Sequence, residues 1–406
     1  MRLRRRPTGW TWLLVAALIP VPAALLRFGL LTLPVAPRTA LYGGAIVGAA
    51  FILTWASEAA ERDISASLAV AFLALVAVLP EYAVDMYFAY TAGHRPEYAA
   101  YAAANMTGGN RLLVGLGWAA VVFAYWLHTR IPVLQLARSH TLEFTFLVAA
   151  TAYGFVIPLK GTLNVFDAIV LLSLFAAYLW LAARSESEEM ELIGPAAAIG
   201  ALPRRRRRFT LVGLFVFAAA TIVLAAEEFA GGLVDTGTSL GVDRFLLVQW
   251  VAPLASEAPE FIAAILLTFR GRAGAGMGTL ISSKVNQWTL LVGGLPLAYS
   301  LAKGGPAALP LDSRQVEEIF LTAAQSVFAL AVLLSLSISL KEAGALAGLF
   351  LVQFAVQAQT VRIGIAVLYL ALALIVFWQQ RHEARAIWRW WRRHERAEEA
   401  PATPRR

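Results

Sequence analysis

The chain has 406 residues, of which 59% are hydrophobic and only 15% are charged. Soluble domains carry about a quarter charged residues, so this composition excludes an ordinary soluble globular protein. A net charge of +8 would suggest nucleic acid as the partner of a soluble protein, but in a membrane protein basic residues mark cytoplasmic loops. The lack of cysteine excludes disulfides, thiolate metal sites and cysteine nucleophiles.

About twelve apolar segments are long enough, or nearly so, to cross a membrane as helices. The segment over 343–358 is the weakest, because it is short and contains Gln353 and Gln357. The sequence therefore predicts an all-α integral membrane protein. In chain order the segments cover 10–27, 38–58, 64–91, 98–126, 141–158, 162–183, 209–230, 245–269, 274–301, 317–339, 343–358 and 361–378.

The basic residues predict the orientation in the membrane. Arginines concentrate in loops on the same side as the N-terminus, and the run Arg204–Arg208 follows the acidic stretch Ser185–Glu191. The positive-inside rule then places both termini in the cytoplasm of a bacterial-type inner membrane. We expect the basic run to contact anionic lipid rather than nucleic acid, and the tail over 382–396 to form an interfacial helix.

The two halves of the chain resemble each other, which indicates an internal repeat. In the first half the Pro80–Glu81 pair precedes a polar patch over 105–110, and in the second half the Pro259–Glu260 pair precedes a patch over 282–287. Each half holds five predicted helices. Because five is odd, the halves are expected to cross the membrane in opposite senses, which is typical of secondary transporters.

This repeat divides the chain into segments, with one extra helix at each end. The predicted units are an N-terminal arm and extra helix over 1–37, inverted repeat 1 over 38–183, a cytoplasmic linker over 184–208, inverted repeat 2 over 209–358, and an extra helix with a basic cytoplasmic tail over 359–406.

The duplicated Pro-Glu pairs predict a cation site. A proline inside a helix breaks the hydrogen-bond ladder and frees a carbonyl one turn earlier, and carbonyl and carboxylate oxygens are the ligands that Ca²⁺ prefers. Asp85 shares a helix face with Glu81, as Glu257 does with Glu260. A carboxylate near the bilayer centre costs at least ~2.5 kcal/mol, so this repeated pattern indicates function.

Two cations lie within the predicted helices, Arg111 and Lys284. They are expected to compensate the buried carboxylates, either as ion pairs that hold helices together or as groups that border the ion site. Ser283 and Gln287 are candidate ligands, although such side chains also form hydrogen bonds between membrane helices. No catalytic cluster or phosphate-binding loop is evident, so we expect neither an enzyme nor a cofactor beyond transported cations.

With both repeats laid out, the sequence resembles the calcium/cation antiporter superfamily, that is, the membrane region of sodium/calcium exchangers. This family carries two inverted repeats, each with a G-T-S-x-P-E and a G-N-x-x-G-S-N-x-x-N/D segment. The second repeat is the better match, and the resemblance implies cation ligands at Ser256, Glu260, Ser283 and Gln287. Glu257 stands where the family has serine.

In the first repeat the resemblance implies ligands at Glu81, Asn105 and Asn110. Gly109 stands where the family has serine, and Leu113 stands where it has a second asparagine. A shifted register makes Asn110 that later ligand, and both registers remain open at this point.

The resemblance implies a secondary active antiporter that exchanges Ca²⁺ or another cation for H⁺ or Na⁺ by alternating access. Fewer neutral oxygens and more ionisable groups than in the family motif favour H⁺ as the coupling ion. The alternative is a transport-inactive relative that acts as a membrane scaffold, in which Arg111 and Lys284 pair with all the buried carboxylates. Membrane lipid and inorganic cations are the expected partners.

Overall fold

The computed structural model describes residues 9–60, 62–63, 79–137, 140–184 and 192–381, without the side chain of Pro259. Nine α-helices precede the central loop in this part of the chain. They are α1 (Gly9–Leu18), α2 (Val21–Arg27), α3 (Val35–Ala60), α4 (Leu79–Ala92), α5 (Tyr98–Leu112), α6 (Ala119–Thr129), α7 (Thr141–Gly154), α8 (Val156–Lys160) and α9 (Val165–Ala182).

Eight described helices follow the central loop. They are α10 (Gly194–Gly200), α11 (Arg204–Leu240), α12 (Arg244–Phe269), α13 (Ala273–Asn286), α14 (Val292–Lys303), α15 (Ser313–Leu333), α16 (Leu340–Ala355) and α17 (Gln359–Gln379). Two π-helical segments, Leu113–Trp118 and Gln287–Leu291, join α5 to α6 and α13 to α14. Such segments are rare and often lie at functional sites.

Local sequence determines where several helices begin. At the start of α15, the Asp312 side chain accepts from the backbone N–H of Gln315 while the Gln315 side chain bonds back to the Asp312 N–H. Ser339 and Glu342 form the same reciprocal pattern at the start of α16. These capping boxes satisfy backbone donors that a helix start leaves free.

Two short strand pairs connect the halves of the chain. Strand β1 (Val133–Gln135) pairs antiparallel with β4 (Ser337–Ser339), and β2 (Thr162–Leu163) pairs antiparallel with β3 (Leu309–Pro310). The loops of each pair are predicted to lie on the same side of the membrane, β1 with β4 inside and β2 with β3 outside. The pairing agrees with this relative sidedness, because hydrogen-bonded strands must share a side.

The described helices are suited to a membrane. The described ranges hold eight helical stretches that are long and apolar enough to cross it, three of which join two of the helices named above, or nine if the two arms of the bent α12 form one span. Large apolar side chains on α1, α11 and α17 are exposed, including Leu14, Val216 and Leu374. In a membrane these side chains would contact lipid. In water, large apolar patches of this kind mark interaction sites or aggregation-prone surfaces. The layout of about twelve spans in two inverted repeats stays a prediction.

Several helix bounds differ from the predicted segments. The N-terminal segment is two helices, broken at Ile19–Pro20. Arg204–Arg208, at the end of the predicted cytoplasmic linker, form the first turns of α11, which begins directly after Pro203. The helix predicted over 64–91 is described only from Leu79 onward. The acidic stretch Ser185–Glu191 and the tail over 382–396 lie outside the described residues.

The core of the molecule holds α5, α13 and α15 at its centre. α5 is buried along nearly its whole length, and α12 and α15 pack against it. The first helices of the two halves, α3 and α11, pack against each other, and α17 packs along α15. Ala103, Ala104 and Gly108 on α5 have no bulky side chain, so the neighbouring helices approach its backbone closely.

Candidate carboxylate site between the two halves

The Pro-Glu pairs lie on α4 and α12, which come from different halves of the chain. Pro80 and Glu81 lie near the beginning of the described part of α4. α12 bends by 51° at a break between Ala258 and Glu260. A proline at that point removes one ladder hydrogen bond and crowds the preceding turn, which is a sufficient cause of the bend. The predicted free carbonyl of Val76 lies outside the described residues.

Gln287 joins the two buried carboxylates. Its Nε2 donates to Glu257 Oε1 at 2.9 Å and to Glu81 Oε2 at 3.3 Å. Glu81 is 5% exposed and Glu257 is 3% exposed, so both carboxylates are removed from solvent. The structure thus brings together two carboxylates from α4 and α12 through one neutral side chain on the π segment after α13.

Glu260 and Ser283 form the second contact of the site. The Ser283 hydroxyl donates to Glu260 Oε2. Glu260 lies close enough to Glu81 and Glu257 for their charges to interact. We refer to Glu81, Glu257, Glu260, Ser283 and Gln287 as the carboxylate site.

Among the described residues, three oxygens of this site have no hydrogen-bond partner. Glu81 Oε1, Glu257 Oε2 and Gln287 Oε1 are all fully buried. A buried carboxylate oxygen without a partner carries a large desolvation cost, and such orphaned groups commonly receive an ion, a proton or ordered water. The oxygen atoms of the site are suited as ligands of a hard cation, because they belong to carboxylate, amide and hydroxyl groups.

The described residues contain no group of three Asp, Glu or His side chains placed to hold a metal ion at once. A cation at the carboxylate site would therefore take some of its ligands from Gln287, Ser283 or backbone carbonyls, which supply the oxygen types that Ca²⁺ also accepts.

Asp85 and Asn105 form a separate polar contact one turn beyond Glu81. The two side chains lie next to each other and are fully buried, but neither has a hydrogen bond of good geometry to any described residue. Ser256, which the family resemblance implies as a ligand, donates its hydroxyl to the backbone carbonyls of Ala252 and Pro253 at 3.2 Å each. In this arrangement its hydroxyl is bound to its own helix.

Lys284 is bound to Asn110 and not to a carboxylate. Its Nζ donates to the Asn110 Oδ1 at 2.9 Å and to the Asn110 carbonyl oxygen at 2.8 Å. Lys284 is only 1% exposed, and its Nζ also lies 5.5 Å from the centre of the Trp288 ring. The ammonium is therefore hydrogen-bonded to neutral oxygens, while its charge lies close enough to the charges of Glu257 and Glu81 to interact with them.

Arg111 belongs to a buried ion cluster on the other side of α5. Its Nη2 lies 2.5 Å from Glu318 Oε2, with both side chains 1% exposed, and its Nη1 donates to Gln353 Oε1 at 3.2 Å. Arg362 of α17 lies between Glu317, at 2.8 Å, and Glu318, at 3.8 Å. The cluster joins α5, α15, α16 and α17 and does not reach the carboxylate site.

These contacts bear directly on the scaffold alternative. Among the described residues, neither Lys284 nor Arg111 forms an ion pair with any of the four carboxylates that the scaffold alternative requires to be paired, which are Glu81, Asp85, Glu257 and Glu260.

Sequence reasoning missed Glu318 and Arg362, because both stand near predicted helix ends where charged residues are ordinary. It also noted Gly109 only as a departure, although carboxylate oxygens of Glu81 and Glu257 occupy the space that a side chain at this position would need.

The structure also supplies a register for the first-repeat motif. Lys284 and Asn110 are 174 residues apart. The same offset separates the first residues of the two π segments, Leu113 and Gln287. This register pairs Leu113 with Gln287 and makes Asn110 the counterpart of Lys284.

The described helices and the acidic site at their centre define a multi-pass membrane protein in which both halves of the chain contribute to one polar centre. Comparison with known proteins identifies the class. The family model "Sodium/calcium exchanger protein" matches residues 39–184 and 210–359. The chain therefore belongs to the sodium/calcium exchanger protein family, as its repeats predicted.

Solved structures give the same fold. The chain is similar to the H⁺/Ca²⁺ exchanger CAX, with a TM-score of 0.90 and 46% identity over 94% of this chain and 97% of that chain. Native YfkE, at 14% identity, has a TM-score of 0.61 over 88% and 99% of the two chains. The sodium-calcium exchanger NCX_Mj, at 15% identity, has a TM-score of 0.50 over 84% and 99%. Comparison with curated proteins gives no significant match.

Proposed function

We propose that this protein is a secondary active antiporter that exchanges Ca²⁺ for H⁺ across the membrane at the carboxylate site. Its membership of the exchanger family and its similarity to the H⁺/Ca²⁺ exchanger CAX support this class of transport. The observation that carries the proposal is that two buried carboxylate oxygens, Glu81 Oε1 and Glu257 Oε2, have no hydrogen-bond partner in the part of the chain that the structure describes.

The neighbours of the carboxylates favour an exchanged ion. Glu81, Glu257 and Glu260 receive hydrogen bonds from an amide and a hydroxyl and have no ion pair with an arginine or lysine among the described residues. Buried carboxylates need compensation for their charge. In this proposal Ca²⁺ supplies it in one half of the cycle and protons supply it in the other half.

The same oxygens would bind either Ca²⁺ or protons, which couples the two fluxes. A protonated carboxyl has lost most of its affinity for a cation, and a Ca²⁺-bound carboxylate has lost most of its affinity for a proton. Alternating access would then expose the site to one side of the membrane at a time. Na⁺ fits less well, because several hydroxyl and amide oxygens of the family motif are replaced here.

The proposed architecture is two inverted repeats, with one extra helix before the first and one after the second. The reciprocal strand pairs β1–β4 and β2–β3 support this, because each unites a loop from one half with a loop from the other. Both termini are expected on the cytoplasmic side of the inner membrane, in accordance with the basic residues.

The test is Ca²⁺ flux into proteoliposomes that carry a pH gradient. We expect flux in the wild type and its loss in the double variant Glu81→Gln plus Glu260→Gln. The matched control is Glu97→Gln, since Glu97 is an exposed carboxylate outside the carboxylate site. Equal flux in the wild type and the double variant would overturn the site assignment, and absence of flux in a wild type that is folded would overturn the function.

A further inference from the structure

Gly109 occupies the point where the carboxylates of the two halves approach the backbone of α5. A Cβ added to Gly109 would lie 2.6 Å from Glu257 Oε1 and 3.0 Å from Glu81 Oε1. Both distances are shorter than ordinary van der Waals contacts. The missing side chain therefore provides the volume that the two carboxylate oxygens occupy.

Its neighbour Gly108 has a different role. A Cβ on Gly108 would lie 1.8 Å from the backbone oxygen of Gln249 on α12, so this glycine permits close packing of two helix backbones. At Gly109 the obstructing atoms are the ends of flexible side chains instead. A side chain at 109 would displace the carboxylates and leave the packing of α5 against α12 in place.

Gly109 and Glu257 are also two of the three positions where serine of the family motif is absent, the third being Val78, and the Glu257 carboxylate occupies the space beside Gly109. We propose that Gly109 is a selectivity-determining residue, which makes room for the Glu257 carboxylate so that the site binds a divalent cation with one more charged oxygen ligand. This inference rests on the proposed function and names the residue that sets the charge of its ion site.

This arrangement makes the cation ligands more negatively charged than those of the family motif. A hydroxyl at 109 or 257 would offer a neutral oxygen, whereas Glu257 offers a carboxylate within reach of Glu81 through their common partner Gln287. More carboxylates favour Ca²⁺ over Na⁺, because the attraction grows with the charge of both partners.

The experiment is a double-mutant cycle that compares Gly109→Ala, Glu257→Ser and their combination with the wild type. Each variant is assayed for Ca²⁺ flux in proteoliposomes and for Ca²⁺ binding through the shift of thermal unfolding in detergent. Alanine favours a helix more than glycine does, so helix propensity does not explain a loss. The control is Gly348→Ala on α16, where nothing lies within 4 Å of an added Cβ.

We expect Gly109→Ala to raise the Ca²⁺ concentration for half-maximal flux and binding about 10- to 100-fold. In the Glu257→Ser background the same change should have a clearly smaller effect, because the nearer of the two obstructed carboxylates is gone and only Glu81 remains beside position 109. Wild-type Ca²⁺ affinity in Gly109→Ala, or an equal loss in both backgrounds, would overturn the role of Gly109.

The two assays separate this inference from the proposed function. A wild type that binds Ca²⁺ but shows no proton-driven flux overturns the antiport function, and the binding cycle still decides on Gly109. A wild type that neither binds nor transports Ca²⁺ overturns both.

Discussion

Lys284 and Asn110 contact each other across the centre of the molecule, with Lys284 Nζ donating to both Asn110 Oδ1 and the Asn110 carbonyl oxygen. In the register set by the two π segments they occupy equivalent positions in the two halves. An asparagine in one half thus accepts the hydrogen bonds of a lysine in the other, and among the described residues the carboxylates of the site receive hydrogen bonds from the neutral side chains of Gln287 and Ser283.

Removal of the Asn110 side chain should destabilise the protein. Asn110→Ala leaves a buried ammonium with one acceptor fewer, and we expect the free energy of unfolding to fall by about 1–3 kcal/mol. Thermal unfolding in detergent measures this. Asn286→Ala is the matched control, since the Oδ1 of Asn286 is buried without a hydrogen-bond partner. A stability loss no larger in Asn110→Ala than in the control would contradict the prediction.

Disruption of the buried Arg111–Glu318 pair should be more severe. Arg111→Met leaves the Glu318 carboxylate without its 2.5 Å partner, and we expect a loss of about 3–5 kcal/mol. Arg111→Met combined with Glu318→Leu removes both charges and should recover most of the stability. The same unfolding assay checks this, and the prediction is wrong if the double variant is as unstable as the single one.

The Asp63 carboxylate should make stability depend on pH. The Arg207 side chain donates to both of its oxygens, at 2.6 and 3.0 Å. This hydrogen bonding holds the pKa of Asp63 below its ordinary value, with Arg208 contributing in the same direction. Because the folded pKa is lowered, the stabilisation is present above the unfolded pKa and is lost as pH falls through the folded pKa.

We therefore expect Asp63→Asn to lower the unfolding temperature at pH 7. The difference from the wild type should shrink as the pH falls below about 4, the range in which an aspartate in the unfolded chain also becomes protonated. Thermal unfolding at a series of pH values measures it, with Glu97→Gln as control. A difference that stays constant down to the lowest pH would contradict the role of the Asp63 charge.

The family could be predicted from the sequence because it depends on a repeated local pattern. The Pro-Glu pairs stand at matching places in the two halves, and the family match confirms the membership that they indicated, while the cation site at these pairs stays a prediction. Prolines and carboxylates are so costly inside membrane helices that their repetition is informative without knowledge of tertiary contacts.

The pairing of the buried charges could not be predicted from the sequence. Arg111 and Lys284 were equivalent in sequence terms, yet the first lies against Glu318 and the second against Asn110. Their partners are decided by the rotation of each helix about its axis, since residues one position apart on a helix face different neighbours. The role of Gly109 could not be predicted either, because the space that a glycine leaves can be interpreted only when the neighbouring side chains are known.

The most direct test of the central claim measures Ca²⁺ and H⁺ in the same proteoliposomes, with one indicator for each ion and with Na⁺ absent. We expect the wild type to move protons out as Ca²⁺ enters, and we expect Glu260→Gln to abolish both fluxes together. Ca²⁺ entry that requires Na⁺ and moves no protons, or paired fluxes that persist in Glu260→Gln, would contradict it.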